Sequence, residues 1–339
     1  MNFRGFWGQM EAPIVGLAPM DGVTDAAFRY MVCRSSRPSF VMTEFVNVEG
    51  LARGAVKKIP AFIFDEGERP VVAQVFGVEV DSFYKAAVLV CALGFDGVDI
   101  NMGCPAKKVE KKGSGAGLIK TPELAKDIIW AVKRGVKDWA EGVSLEEAGV
   151  HSSVIEALNV VGERREIPVS VKTRIGYDKP VTEEWVSVLL EAGVDVLSLH
   201  GRTLKQMYGG EADWEEIGKA ASICRKAGVM IIGNGDVKSM DDAEMKIREF
   251  GVDGVMVGRA VLGNPWFFGG GEPGVEDRIG AAKDHLKYFE KFLGEHLSYH
   301  TVKKHLGWYL KGFDGARELR MNLMKTESAA EAIELINSI

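Results

Sequence analysis

The sequence predicts a closed (β/α)8 barrel followed by a small all-helical domain. Short apolar, β-rich runs recur eight times between Ile14 and Val257, and each is followed by a segment with helical periodicity. Strands that are apolar throughout are typical of a parallel sheet covered on both faces. An open doubly wound sheet would place a GxGxxG turn after the first strand, and the residues after Leu17 do not form one.

The predicted elements alternate regularly along the first part of the chain. The eight predicted strands are residues 14–17, 41–43, 71–75, 98–100, 169–171, 196–199, 230–232 and 254–257. Predicted helices between them include residues 24–34, 81–93, 121–134, 182–192 and 240–250. Thr24, Asp81, Thr121 and Thr182 are candidate N-caps, and Pro122 suits the first helical position.

The chain is expected to divide into a barrel, residues 1–272, and a helical domain, residues 273–339. Residues 138–167 are too long for an ordinary loop, and we expect a helical insertion there. Helices are predicted over residues 279–297, 301–311 and 316–325, with nine Lys or Arg and five Asp or Glu between Lys283 and Lys325. On charge alone, this excess fits solvated helix faces or a basic patch for RNA.

Composition excludes several classes of protein. The four cysteines are scattered, so no metal site is predicted. The N-terminus lacks the layout of a signal peptide, and the longest apolar run is far shorter than a membrane helix requires. We therefore expect a cytoplasmic protein without a membrane partner. The net charge of −6 is not that of a typical nucleic-acid binder.

Polar residues, together with Pro, Met and Gly, gather in or just past the ends of the predicted strands, where a barrel of this kind builds its active site. They are Pro19, Met20, Glu44, Gln74, Asn101, Cys104, Lys172, Arg174, His200, Arg202, Asn234, Gly235, Asp236, Gly258 and Arg259. The barrel does not need them for stability, so their accumulation indicates a ligand.

The ligand is predicted to carry a phosphate group. Gly-rich loops follow the last two strands, at residues 233–236 and 258–259, and these two loops are the usual phosphate site of the fold. Lys172 and His200 would face the same cavity, beside Gln74, and could hold an isoalloxazine ring. With no dinucleotide fingerprint, the expected cofactor is FMN.

Cys104 lies between Gly103 and Pro105, just past the fourth strand. It could be a buried structural thiol, a general acid or a nucleophile. The lysines that follow, from Lys107 to Lys112, could lower its pKa.

An ordered set of motifs spanning about residues 13–268 resembles the tRNA-dihydrouridine synthases. The matching segments are 18–25 (APMDGVTD), 74–77 (QVFG), 99–105 (DINMGCP), 107–109 (KKV), 171–174 (VKTR), 200–203 (HGRT), 234–236 (NGD), 258–260 (GRA) and 264–266 (NPW). Any one motif is modest, but the ordered set is highly specific.

The resemblance implies an FMN enzyme that reduces the C5–C6 bond of uridines in tRNA, with NADPH or NADH as reductant and no obligate protein partner. Hydride would pass from flavin N5 to C6, and Cys104 would protonate C5. The implied flavin site comprises Pro19, Met20, Gln74, Lys172, His200, Asn234, Gly235, Asp236, Gly258 and Arg259. The implied substrate contacts are Asn101, Lys107, Arg174 and Arg202.

Two other functions remain open from the sequence. One is an FMN barrel that acts on a free pyrimidine, similar to dihydroorotate dehydrogenase. The other is a non-catalytic RNA-binding protein built on the same barrel.

Overall fold

A computed structural model describes residues 5–158 and 162–338, and its parallel sheet closes into the predicted barrel. The strands are β1 (Ile14–Leu17), β2 (Val41–Met42), β3 (Val46–Asn47), β4 (Val71–Phe76), β5 (Gly97–Met102), β6 (Val169–Arg174), β7 (Val196–His200), β8 (Met230–Asn234) and β9 (Gly254–Val257). β1 pairs with β9 on one side and β2 on the other, which closes the ring. The predicted (β/α)8 fold is confirmed.

The second barrel position is occupied by two short strands rather than one. β2 and β3 both pair with β4 in parallel, and the chain leaves the ladder between them. Thr43 bridges the gap, since its backbone N–H donates to Val72 O at 3.0 Å and its hydroxyl accepts from Gln74 N at 3.0 Å. The interruption places Glu44 and Phe45 outside the sheet.

Helices surround the barrel and form the C-terminal region. They are α1 (Ala26–Ser35), α2 (Val48–Ala52), α3 (Val80–Ala92), α4 (Lys107–Glu110), α5 (Pro122–Ala140), α6 (Ser152–Glu156), α7 (Thr182–Glu191), α8 (Trp214–Ala227), α9 (Met240–Phe250), α10 (Val275–Leu293), α11 (Lys303–Tyr309), α12 (Ala316–Leu323) and α13 (Ala329–Asn337). The sequence analysis missed α13. It also misplaced three of the four N-caps. Asp25, not Thr24, accepts a hydrogen bond from Phe28 N at the start of α1, while Asp81 and Thr182 lie inside α3 and α7, whose N-caps are Glu79 and Val181. Thr121 and Pro122 occupy the expected positions at the start of α5.

The expected insertion, residues 138–167, is only partly helical. α5 continues into it as far as Ala140, and α6 adds five residues. Most of its remaining described part is turn and loop, and residues 159–161 lie outside the described chain.

Three apolar cores hold the fold together: one between sheet and helices, one inside the barrel and one in the C-terminal helices. Trp7 contributes to the barrel interior and packs edge-on against Phe40, with ring centroids 4.5 Å apart. Gly16 is required beside this pair, because a Cβ at that position would lie 2.3 Å from the Phe40 ring. The barrel therefore has a packed interior beneath its carboxyl end.

The C-terminal helices pack on the barrel through α1. Ala26, Ala27 and Met31 of α1 belong to the same core as Leu286 and Phe289 of α10. α10 begins at Val275, close to the expected boundary after residue 272, but its core is shared with the barrel. The division into two domains remains a prediction.

A buried ion pair anchors α1 on its other side. Arg29 Nε donates to Glu68 Oε2 at 2.7 Å, and neither side chain is exposed. The guanidinium also donates to Thr24 O and Ile63 O, while Glu68 Oε1 accepts from Asp65 N. Each guanidinium nitrogen and each carboxylate oxygen of the pair thus has a partner inside the protein.

We expect Glu68→Ala to reduce the free energy of unfolding by about 3–5 kcal/mol, because it leaves the Arg29 charge buried without its partner. Glu66→Ala is the matched control, since Glu66 pairs with Arg69 at the exposed surface; it should cost less than about 1 kcal/mol. Urea unfolding of both variants measures the difference. Equal losses of unfolding free energy in the two variants would contradict the prediction that Glu68→Ala leaves a buried charge without a partner.

Candidate active site

A cavity of about 730 Å³ opens at the carboxyl ends of the barrel strands. Twelve of the residues singled out from the sequence line it: Pro19, Met20, Asn101, Cys104, Lys172, Arg174, His200, Asn234, Gly235, Asp236, Gly258 and Arg259. A volume of this size lies in the range of small-molecule and cofactor sites.

The loop after β1 forms one rim of the cavity. Thr24 fixes it, because its hydroxyl accepts from Met20 N at 2.9 Å while Val23 N and Thr24 N both donate to Met20 O. Ala18 N donates to Val257 O at 2.8 Å and ties the loop to β9. Pro19 and Met20 are therefore held at the rim by backbone geometry.

The loop after β5 carries Cys104. Asn101 Oδ1 accepts from both Gly103 N, at 3.1 Å, and Cys104 N, at 2.9 Å. Arg174 Nε donates to Gly103 O at 2.7 Å from the neighbouring strand β6. These bonds fix the loop from both sides.

The Cys104 thiol is kept protonated by its surroundings. Burial raises its pKa, the charge of Asp21 acts in the same direction, and Arg174 and Lys172 oppose them. The pKa is therefore raised, contrary to the lowering expected from the lysines between Lys107 and Lys112, which are exposed to solvent. A protonated thiol suits an acid rather than a nucleophile.

Lys172 and Arg174 project from one face of β6, two residues apart. Lys172 Nζ donates to Asn234 Oδ1 at 2.9 Å, and Asn234 Nδ2 in turn donates to Met256 O. Burial, followed by the charge of Arg174, lowers the pKa of Lys172 to about 8. The cavity floor therefore holds an amine that is easily deprotonated unless an anion joins it.

His200 faces the same cations and is neutral. Burial lowers its pKa well below the ordinary value, and the charges of Lys172 and Arg174 act in the same direction. Its Nδ1 is buried without a hydrogen-bond partner among the described residues, as is the hydroxyl of Ser198 two residues earlier. Of the two residues, His200 lines the cavity, and its unused ring nitrogen is consistent with a polar ligand.

Asp236 organises the opposite end of the cavity. Its carboxylate accepts from Arg202 at 2.6 Å, from Ala212 N at 2.8 Å and from Arg259 at 2.8 Å. Burial opposes ionisation, but the hydrogen bonds from Arg202 and Ala212 prevail and lower the pKa of Asp236. The preceding Gly235 has φ +132 and a Cβ there would lie 2.5 Å from Ala212, so only glycine fits this turn.

Three of the expected site residues do not line the cavity. Gln74 is fully buried beneath it, Lys107 lies on the exposed surface of α4, and Arg202 is buried behind Asp236. Gln74 reaches the site only through Asn101, whose Nδ2 donates to its Oε1 at 2.9 Å.

The sequence analysis missed several lining residues. They are Ala18, Asp21, Val23, Phe45, Met207, Tyr208 and Leu262, together with parts of the Cys104 loop. Arg174 Nη1 brings the loop of Met207 and Tyr208 to the cavity by donating to Met207 O. Phe45 lies in the break between β2 and β3, and no pattern in the sequence predicted this break.

Two further properties bear on the chemistry. Within residues 5–158 and 162–338, His, Cys, Asp and Glu side chains form no group of three or more that could hold a metal ion. In the same part of the chain, no helix combines the length and apolarity needed to cross a membrane.

Comparison with known proteins identifies clear relatives. A family profile described as dihydrouridine synthase (Dus) matches residues 16–145 and 145–339. The chain is 33% identical to a probable tRNA-dihydrouridine synthase of Staphylococcus epidermidis, over 99% of this chain and 96% of that protein. It is 32% identical to probable tRNA-dihydrouridine synthase 2 of Bacillus subtilis, over 98% and 96% of the two chains.

Solved structures extend the likeness of fold. DHODH of Eimeria tenella superposes with a TM-score of 0.51 at 15% identity, over 76% of this chain and 78% of that one. A 2-naphthoyl-CoA reductase gives the same TM-score at 13% identity, over 76% and 49%. At these identities the likeness concerns the barrel alone.

The lowered pKa of Lys172 predicts a pH-dependent stability. Between pH 8 and 10.5 the folded protein holds a neutral amine while the unfolded chain holds a charged one. Folding is therefore penalised below pH 8, by about 3 kcal/mol at roughly 1.4 kcal/mol per pKa unit, and the penalty disappears as pH rises through 10.5. Lys172→Met should therefore have a larger free energy of unfolding than the parent at pH 7, and this difference should shrink by about 3 kcal/mol between pH 7 and pH 10.5.

Urea unfolding of the ligand-free protein at pH 7 and pH 10.5 tests this expectation. Lys311→Met, at an exposed position, serves as the control and should show no such change relative to the parent. Parallel pH dependences for Lys172→Met and the parent would refute the lowered pKa.

Proposed function

Because the chain belongs to the dihydrouridine synthase family, we propose that it reduces the C5–C6 double bond of uridine in tRNA to dihydrouridine. The observation that carries this proposal is the position of Cys104, a thiol kept protonated at the rim of a cavity whose floor holds Lys172 and His200. Such a cavity can hold a planar ring against cations and present an acid to its substrate.

Family membership implies a flavin, and we propose that the flavin is FMN. The residues fit: the cavity is large enough, and His200, which lines it, has a ring nitrogen without a hydrogen-bond partner among the described residues. Lys172 and His200 would contact the ring, while Arg259 and the turn at Gly235 would hold the phosphate. When bound and reduced, the flavin supplies the hydride that adds to uracil C6.

Cys104 is proposed to supply the proton. Hydride addition at C6 leaves negative charge delocalised over C5 and O4, and this charge is quenched when the thiol protonates C5. The thiolate then recovers a proton from solvent. Four residues were expected to contact the substrate: Asn101, Arg174, Lys107 and Arg202. The first two line the cavity, and contact by the exposed Lys107 would require RNA on the surrounding surface. Arg202 is buried against Asp236 and would not contact the RNA directly.

A uridine in folded tRNA must leave its stack to enter this cavity. We propose that the helical region, residues 273–339, contributes to RNA binding. A reduced nicotinamide cofactor, NADPH or NADH, would regenerate the reduced flavin. A tRNA substrate also argues for a cytoplasmic enzyme.

Turnover on tRNA is the direct test of this function. The purified protein should be yellow, and unmodified tRNA should reoxidise its reduced flavin while free uracil and orotate do not. Turnover on free pyrimidines alone would instead favour the pyrimidine-reducing alternative. A colourless protein that binds RNA would favour a non-catalytic barrel.

Arg259→Ala should weaken FMN binding, because one charge-assisted partner of the phosphate is lost. Such a loss costs about 1.5–3 kcal/mol, or roughly tenfold to 150-fold in Kd. Arg248→Ala, an exposed arginine on α9, is the control. Fluorescence titration of the apoprotein with FMN measures both; unchanged affinity in Arg259→Ala would remove the phosphate assignment.

Cys104→Ala should retain FMN and its reduction by NADPH, while reoxidation by tRNA slows by about 10²–10⁴-fold. Cys104→Ser should be similarly slow, since a hydroxyl is a much weaker acid than a thiol. Cys224→Ala is the matched control: this thiol lies on the buried face of α8, so its loss should lower stability but not the rate. Single-turnover flavin oxidation gives the rates, and a parental rate in Cys104→Ala would exclude the acid.

A further inference from the structure

A polar layer lies inside the barrel directly beneath the cavity. Gln74 of β4, Asp99 of β5 and Ser170 of β6 are direct neighbours in the strand register, and all three side chains are buried. Barrel interiors are usually filled by branched apolar residues. A carboxylate costs free energy there unless it is hydrogen-bonded, so its presence needs an explanation.

Asp99 is fully hydrogen-bonded within this layer. Its Oδ1 accepts from Ser170 Oγ at 2.6 Å, and its Oδ2 accepts from Gln74 Nε2 at 2.7 Å. An ionised carboxylate can only accept hydrogen bonds, so the group of Gln74 that faces it must be the amide NH2. The amide oxygen of Gln74 therefore points the other way, toward the cavity.

The orientation is passed on to Asn101. Gln74 Oε1 accepts from Asn101 Nδ2 at 2.9 Å, so the carbonyl oxygen of Asn101 must face the loop above. That oxygen accepts from the backbone N–H groups of Gly103 and Cys104. If either amide turned over, two donors would face each other in a buried space.

We propose that Asp99 is a positioning residue for the reaction: through Gln74 and Asn101, its carboxylate fixes the loop that presents the Cys104 thiol. This inference rests on the proposed role of Cys104 as the acid. Asp99 itself lies in the barrel interior, outside the cavity lining, and reaches the loop through its two amide partners.

The charge state of Asp99 is compatible with this role. Burial raises its pKa to about 6, opposed by the hydrogen bonds of Ser170 and Gln74 and by the charge of Lys172. The group is thus ionised at neutral pH, where it can act only as an acceptor.

Three variants of the flavin-loaded enzyme test this series of hydrogen bonds from Asp99 through Gln74 to Asn101. Asp99→Leu removes the acceptor that orients Gln74, so single-turnover oxidation of the reduced flavin by tRNA should slow on the order of 100-fold, as expected for a misplaced reacting group. Asp99→Asn should stay near the parental rate, because its carbonyl can face Gln74 while its NH2 donates to the Ser170 hydroxyl. Ser170→Ala, the matched control in the same layer, should also keep the parental rate.

A double variant identifies the route of the effect. Because Asp99 acts through Asn101, Asp99→Leu combined with Asn101→Ala should be no slower than Asn101→Ala alone. Multiplied losses, a parental rate in Asp99→Leu, or an equally slow Ser170→Ala would each overturn the proposal. Flavin reduction by NADPH should be unchanged in all of these variants.

Gln74→Met keeps the experiment decisive if Asp99→Leu fails to fold. It breaks the second link, so tRNA-dependent oxidation of the reduced, FMN-saturated enzyme should fall as in Asp99→Leu. Loss of FMN affinity without loss of the tRNA-dependent rate would show that Gln74 serves the flavin alone, and it would overturn the proposed positioning role of Asp99.

A readout without tRNA separates this proposal from the proposed function. Iodoacetamide alkylation of Cys104, located by mass spectrometry with Cys91 and Cys224 as buried internal references, should be severalfold faster in Asp99→Leu and Gln74→Met than in Ser170→Ala. If tRNA fails to oxidise the flavin of the parent, the proposed function is wrong, yet this difference should remain. Equal alkylation rates in all variants would overturn the positioning role.

Discussion

Closure of the parallel sheet between β1 and β9 is the constraint on which the candidate site depends. All strands run in one direction, so closure brings residues from distant parts of the chain to a single rim. Lys172, His200, Asn234 and Arg259 follow four different strands and meet there. An open sheet with the same strand ends would spread these groups along an edge, too far apart to surround one ring.

Desolvation then determines the chemistry of the assembled groups. The cavity lining holds three cations (Lys172, Arg174 and Arg259) and two carboxylates (Asp21 and Asp236), and burial strengthens the repulsion between Lys172 and Arg174. Lys172 and His200 are both driven toward their neutral forms, while the same burial keeps the Cys104 thiol protonated. Such a site favours an anionic ligand, because a negative charge offsets the repulsion between the buried cations.

Helix α1 links this site to the C-terminal helices. It starts at Asp25, at the end of the rim loop, and one of its faces enters the C-terminal core through Ala26, Ala27 and Met31. On another side, Arg29 ties it to Glu68. The helical region is therefore positioned relative to the cavity by the same element that ends the first loop.

The sequence by itself determined the barrel, the strand ends that bear the site and the Cys104 loop. Strand periodicity and ordered motifs are local properties of the sequence, so they can be recognised without the structure. Only tertiary structure decided that Gln74 lies under the cavity and Arg202 behind Asp236, because a side chain at a strand end can point into the interior, the cavity or a neighbouring loop.

The same limit explains the residues that sequence reasoning missed. Phe45 reaches the cavity through a break in the second strand, and Tyr208 through a long loop held by Arg174, so neither position follows from periodicity. Asp99 was visible as part of a motif but not as the end of a hydrogen-bonded chain. Its role depends on Gln74 and Ser170 standing beside it in register, and register between strands far apart in sequence is set only when the barrel closes.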